Sequence, residues 1–211
     1  LALIHVEQGK HEEAIKLLEP LSKNYEDVKD YIQFHLIQAQ AKSGKFQNAR
    51  DNAYEFLKLN PNTLLYPQAQ LILAEAQIQL GEKDAGIKTL EEAIQTITQN
   101  FKYKKFRKFL PDMIFLLADI QEKSEKKIEA YTNFRQLHIQ HPNHERTPEA
   151  EVALQRLVKL KTIKEIPLTM REHTDRIQGL LGNVRYKEII EEIQEIQKGN
   201  NLVPGRFYFF L

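Results

Sequence analysis

The chain has 211 residues, with 30 Lys and Arg against 29 Asp and Glu, so its net charge of +1 supplies no global field for a polyanion and leaves any electrostatic role to a local patch. It contains no cysteine, which excludes disulfides and thiolate metal sites and fits either a cytosolic or an exported protein. No run of 18 apolar residues occurs, and no basic segment followed by an apolar stretch opens the chain, so neither a membrane span nor a signal peptide is read in it.

Apolar periodicity predicts α-helices over about 1–8, 11–23, 27–43, 46–58, 66–80, 83–100, 111–123, 126–140, 148–160, 169–181 and 185–197, with ends set to within about 2 to 4 residues. No strand pattern competes. The first helix begins at Leu1, without Met and already inside an amphipathic pattern, and the sequence stops at an apolar run, residues 207–211, with no cap after it. Both ends read as cuts in a longer polypeptide.

Between the first and second helices comes a phrase, Gly9-Lys10-His11-Glu12-Glu13-Ala14, that recurs as Gly44-Lys45-Phe46-Gln47-Asn48-Ala49 and Gly81-Glu82-Lys83-Asp84-Ala85-Gly86. In each copy a glycine closes one helical pattern. A small residue, Ala14, Ala49 or Gly86, then sits five positions later, early in the next. A glycine adopts the left-handed helix-ending conformation without a Cβ penalty, and the small residue lets two antiparallel helices approach closely. A bulky residue at Ala14 or Ala49 should overpack the pair by about 1 to 3 kcal/mol. The glycines are 44 − 9 = 35 and 81 − 44 = 37 residues apart, near the period of a tetratricopeptide helix-turn-helix repeat.

Next along the chain stands its densest charge feature, Phe101-Lys102-Tyr103-Lys104-Lys105-Phe106-Arg107-Lys108-Phe109, with five cations, four aromatics and no acid. Lys102, Lys104, Lys105, Arg107 and Lys108 could contact an anionic polymer while the rings stack on sugars or bases. The plainer reading is a helix extension whose Phe106, Phe109 and Leu110 pack inward under solvated cations. Nucleic acid is the less fitting ligand at a net charge of +1.

The repeats then degrade. Ala130 is another small position, and Pro142 follows it by 142 − 130 = 12 residues as Pro61 follows Ala49 by 61 − 49 = 12, but Glu125 occupies the place of the glycine. His138, His141 and His144 invite a metal reading, which Pro142 and the absence of cysteine oppose. Residues 161–167 read as a connector that either divides repeats over 1–160 from a continuing helical part over 161–211 or simply joins two helices. In the last helix, Glu188, Glu191, Glu192 and Glu195 lie opposite Tyr186, Ile189, Ile190, Ile193 and Ile196 and read as a solvated face. Ser22, Ser43 and Ser124 are the only serines, and none lies in a nucleophile elbow or a phosphate-binding loop.

The stretches 30–41 before Gly44, 66–76 before Gly81, and 134–142 with the helix holding Ala150, Ala153 and Leu157 resemble successive helices of the soluble lytic murein transglycosylases, over most of the chain and least over 101–110. That family has a long superhelical amino-terminal part and a separate lysozyme-like domain, whose catalytic Glu-Ser-aromatic and Gly-Leu-Met-Gln segments do not occur here. The resemblance therefore implies the non-catalytic helical part of a periplasmic cell-wall protein, with no catalytic residue, cofactor or metal carried by this chain and a peptidoglycan strand as the natural anionic target.

The expectation is an all-α, right-handed superhelix (solenoid) of antiparallel helix pairs, tetratricopeptide-like, that serves as scaffold, strand guide or docking surface. The alternative is a tetratricopeptide adaptor that holds a protein or peptide and has no glycan role.

Overall fold

The computed structural model describes residues 1–24, 28–160, 163–199, 204, 205 and 207, with the side chains of 23 and 24 set aside. Those residues form eleven α-helices and one 3-10 helix, and no strand. The α-helices are α1 Ala2–Glu7, α2 His11–Asn24, α3 Lys29–Lys42, α4 Phe46–Leu59, α5 Tyr66–Gln79, α6 Lys83–Gln99, α7 Leu110–Lys123, α8 Lys127–Gln140, α9 Thr147–Lys159, α10 Met170–Leu181 and α11 Tyr186–Lys198. Each predicted α-helix is present with ends within two residues. Residue 27 and the 161–162 end of the expected connector lie outside the described residues, as do 208–211 of the terminal apolar run.

One backbone device joins the helices of a pair. Gly9, Gly44 and Gly81 have φ of 73°, 80° and 82°. In each copy the glycine N–H donates to the carbonyl three residues back and the next N–H to the carbonyl five back, as in Gly44 to Ala41 at 3.1 Å and Lys45 to Gln40 at 2.9 Å. These bonds satisfy carbonyls that the ending helix would otherwise leave orphaned. The carbonyl of that same following residue then accepts the first bond of the next helix, from Ala14, Ala49 or Gly86.

The device persists where the glycine does not. Glu125 has φ 60° and Val184 φ 57°, with the same pair of bonds from Glu125 and Lys126 and from Val184 and Arg185. The small residues five positions on, Ala14, Ala49 and Ala130, are fully buried. A Cβ on Gly86 would stand 2.7 Å from Ile78 Cγ1 and 3.3 Å from the Ala74 carbonyl oxygen, so α5 and α6 touch backbone to side chain there. In the last pair Ile189 fills this position, also fully buried.

The chain separates into two compact units, Leu1–Met113 and Ile114–Leu211, and the division falls in the first turn of α7. The expected break at 160–161 lies inside the second unit. In the first unit α2 to α6 pack in sequence, and α3 also touches α5. Its buried clusters are Ala14, Ile15, Leu18, Leu36 and Ala39, then Phe34, Ile37, Ala53, Phe56, Ala69 and Leu73. In the second unit α8 packs on α9 and α10, and α10 on α11 around Ile177, Leu180, Ile189, Ile193, Ile196 and Phe207.

A polar pair recurs inside the helix pairs. Asn52 Nδ2 donates to Gln40 Oε1 at 2.9 Å, Thr89 Oγ1 to Gln77 Oε1 at 2.8 Å, and Asn133 Nδ2 to Gln121 Oε1 at 2.7 Å. The acceptor stands four residues before the turn and the donor eight after it, so each bond ties the two helices of a pair at the same height. Gln40 and Gln121 are 1 % and 2 % exposed, where an unmatched amide costs about 1 to 3 kcal/mol.

Candidate functional site

Residues 101–109 form a 3-10 helix, not the α-helical extension expected from their charge. In a 3-10 helix side chains three apart eclipse, with about 2.0 Å of rise per residue, and this sequence carries rings at 103, 106 and 109. The ring centroids of Tyr103 and Phe106, and of Phe106 and Phe109, are each 6.3 Å apart, close to the rise of one turn. Tyr103 and Phe106 are buried at 6 % exposure, whereas Phe101 is 80 % exposed.

The cations occupy the other two ridges. Lys104, Lys105 and Lys108 lie 5.5, 5.0 and 4.9 Å from the ring centres of Phe101, Phe106 and Phe109. Lys102 donates to the Asn62 carbonyl and stands 5.4 Å from the Tyr103 ring, and Arg107 donates to the Thr98 carbonyl at 3.1 Å. The segment thus presents exposed cations in contact with rings, with two of the five anchored to main chain.

Two grooves lie on matching positions of the repeat. In the first unit α4, α5 and α6 enclose about 380 Å3, lined by Tyr54, Leu57 and Lys58 from α4, Tyr66, Gln70, Leu73 and Gln77 from α5, and Ala85, Lys88, Thr89 and Glu92 from α6. In the second unit about 680 Å3 is lined by Tyr131, Arg135 and His138 from α8, Glu151, Leu154, Gln155, Val158 and Lys159 from α9, and residues 165–168. Arg135, His138, Glu151, Leu154 and Val158 each stand 81 residues after Tyr54, Leu57, Gln70, Leu73 and Gln77, so the same repeat surface is used twice.

The polar groups of the two grooves differ in one respect. In the second unit Glu151 accepts from His138 Nδ1 at 2.8 Å and from Arg176 at 3.4 Å, and these partners, His138 first, hold its carboxyl below the usual range. Arg176 also donates to Glu192 at 3.0 Å and to the His138 carbonyl at 2.6 Å, and His173 Nδ1 pairs with Glu192. Glu192 is therefore not on a solvated face: its side chain is 11 % exposed, while Glu191 and Glu195 are 59 % exposed. The wall at 166–167 is tied down by Tyr131, whose hydroxyl accepts from the Ile166 N–H at 3.3 Å, and by Arg135, which donates to the Pro167 carbonyl at 2.9 Å and pairs with Glu172. Glu172 also closes a capping box with Thr169, and these contacts lower its pKa to about 2.

In the first unit the matching position is Gln70, 3 % exposed, and its carboxamide oxygen has no partner among the described residues. An unpartnered buried acceptor costs about 1 to 3 kcal/mol.

The three histidines of the metal reading stand apart in role. His138 is committed to Glu151, burial lowers the pKa of His141, and the His144 ring accepts from the Arg146 N–H at 3.3 Å. No three His, Cys, Asp or Glu side chains among the described residues converge as a metal set, and none of the described helices is long and apolar enough to cross a membrane.

A family model described as Tetratricopeptide repeat matches residues 68–96, which contain most of α5, the Gly81 turn and most of α6. No curated protein matches the chain. The match falls on the helix pair that floors and walls the first groove, and this local pattern agrees with the tetratricopeptide-like helix pairs seen along the chain.

Proposed function

We propose that this chain is a tetratricopeptide-type adaptor, a helical scaffold that binds a protein partner through the groove between α4 and α6. The observation that carries the reading is the coincidence of the tetratricopeptide match over 68–96 with a groove lined by α4, α5 and α6. Its lining includes two tyrosines, two lysines and the apolar Leu57 and Leu73, the mixture of apolar wall and few polar fixing groups usual for binding sites. Tyr54 is 67 % exposed, a ring available for burial by a partner. Panning of displayed random peptides against the whole chain tests this. An enriched motif whose binding is lost in Tyr54→Asp supports the adaptor; failure to enrich any motif overturns it.

A second reading rests on the cationic 3-10 helix and on the resemblance to soluble lytic murein transglycosylases. In it the chain is the superhelical part of a periplasmic cell-wall protein, guiding a peptidoglycan strand toward a catalytic domain outside this sequence, which cleaves between N-acetylmuramic acid and N-acetylglucosamine without hydrolysis. Lys104, Lys105 and Lys108 would meet stem-peptide carboxylates, with Phe101 on a sugar face. Sedimentation with insoluble peptidoglycan sacculi decides it. Binding lost on changing Lys102, Lys104, Lys105, Arg107 and Lys108 to Gln supports this reading, and absence of binding by the unchanged chain removes it.

A further inference from the structure

We infer that the 3-10 helix over 101–109 is a docking surface for an anionic lipid bilayer, on which Lys104, Lys105 and Lys108 meet charged headgroups while the Phe101 ring enters the interface. This surface lies outside the lining of both grooves, so the inference is independent of the adaptor reading. Its first support is the distribution of charge. The nine residues hold five cations and no acid, so the rest of the chain carries 30 − 5 = 25 cations against 29 acids and is net negative. Lysines elsewhere pair with carboxylates, as Lys45 does with Glu12, Lys123 with Asp119 and Lys127 with Glu125. None of Lys102, Lys104, Lys105, Arg107 and Lys108 has a carboxylate partner among the described residues. A cationic patch left unneutralised on an otherwise acidic body turns that patch toward a negative surface.

The second support is geometry. With three residues per turn, one ridge of the 3-10 helix carries Tyr103, Phe106 and Phe109, the next carries Lys102, Lys105 and Lys108 about 6 Å apart, and the third carries Phe101, Lys104 and Arg107. All five cations and Phe101 are exposed. The third support is apolar. Lys102 donates to the Asn62 carbonyl and the Tyr103 hydroxyl to the Thr63 carbonyl at 3.3 Å, which sets the turn before α5 beside the start of the 3-10 helix. Leu64 in that turn is exposed as well. Cations flanked by exposed apolar side chains suit the bilayer interface, where the apolar groups sink among the headgroups and the cations stay at their level. A polyanionic strand fits less well. The segment is about 16 Å long and meets few charges of a single strand, and with Tyr103 and Phe106 buried and Phe109 stacked on Phe106, only Phe101 is left to stack on a base. A sheet of headgroups offers charge to all the exposed lysines at once.

The test is co-sedimentation of the whole chain with vesicles of phosphatidylcholine alone and of phosphatidylcholine with about one third phosphatidylserine. Binding is expected on the anionic vesicles only, and is expected to fall as salt is added. A lysine held near such a surface is worth about fivefold in binding, so changing Lys104, Lys105 and Lys108 together to Gln should weaken it about a hundredfold. These side chains are exposed, and an unchanged far-ultraviolet circular dichroism spectrum shows that the variant folds. The chain has no tryptophan, so Phe101→Trp places a single reporter whose emission should move to the blue on the anionic vesicles. Equal binding to neutral vesicles, or full binding by the triple variant, overturns the electrostatic contact; unmoved emission from vesicle-bound Phe101→Trp overturns insertion of the ring. Absence of binding to anionic vesicles overturns the proposal outright, and capture of a single-stranded oligonucleotide or of peptidoglycan sacculi by the same lysines would then assign the patch to a polymer. Peptide panning is read separately, so the adaptor reading stands or falls on its own result.

Discussion

Changing Gly44 to Ala and Glu125 to Gly should move stability in opposite directions, because the two residues hold one backbone conformation with and without a side chain. Gly44 has φ 80° and an added Cβ would meet no heavy atom within 4 Å, so the alanine variant suffers no clash and its cost is purely conformational. An L-residue in the left-handed region costs about 1 to 2 kcal/mol. Alanine recovers about 0.4 to 1 kcal/mol through a less flexible unfolded chain. The net is a loss of about 1 kcal/mol for Gly44→Ala. At Glu125, φ 60°, the ledger reverses; the side chain is 79 % exposed and its 2.6 Å pairing with Lys127 is a surface contact worth a few tenths of a kcal/mol at most. Glu125→Gly should therefore gain up to about 1 kcal/mol, and Val184→Gly, at φ 57° with a β-branched side chain, at least as much. Urea unfolding followed by far-ultraviolet circular dichroism measures all three. In thermal melts each kcal/mol corresponds to about 2 to 4 °C for a chain of this size. Loss of stability in Glu125→Gly, or unchanged stability in Gly44→Ala, would refute the reasoning.

The polar tie inside the helix pairs predicts that Gln40→Leu costs about 1 to 3 kcal/mol by stranding the Asn52 amide, and that adding Asn52→Leu restores most of it, a sign pattern that a double-mutant cycle reads directly. Phe106→Ala should destabilise the first unit by about 3 to 5 kcal/mol in denaturant titrations, since the ring is 6 % exposed and holds the 3-10 helix down between Tyr103 and Phe109. Acid should loosen the second unit. The Glu172 carboxyl, with a folded pKa of about 2 against 4.5 unfolded, contributes stability above pH 4.5 that is lost as pH falls toward 2. Its side chain is 26 % exposed, so solvent screening reduces the contribution to about 1 to 2 kcal/mol. Glu172→Gln should therefore flatten that limb of the stability against pH curve, and an unchanged acid limb would show that the Arg135 pair contributes nothing.

The helix pairs were legible because their instructions are local. A glycine, the small residue five positions on and a proline past the second helix lie within one helix length of each other, and the same dihedral at Glu125 and Val184 shows that the backbone device outlasts the residue that reveals it. The 3-10 helix was hidden by reading 101–109 for its charge. Its ring spacing of three was present in the sequence, but an isolated period of three is not a helical or strand signal. The Gln40, Gln77 and Gln121 ties left a trace too, a glutamine four residues before three of the turns, which gains meaning only with the donors beyond the turn. The Glu192 network had no such trace. On α11 alone Glu192 sits among exposed acids, and only the packing of α10 against α11 brings Arg176 and His173 to it. Gln70 likewise reads as an ordinary helix residue until α4 and α6 close over it.

The turn within each pair leaves no residue to spare. The amide of Lys45 finishes α3 while its carbonyl starts α4, so one residue belongs to both helices. An extra residue at such a junction would rotate the following helix by about 100°, carrying Ala49, Ala53 and Phe56 off the face they bury. The junction acts as a counting device. Chains of this design can lengthen by whole pairs, or between pairs, but they cannot drift in length within a pair.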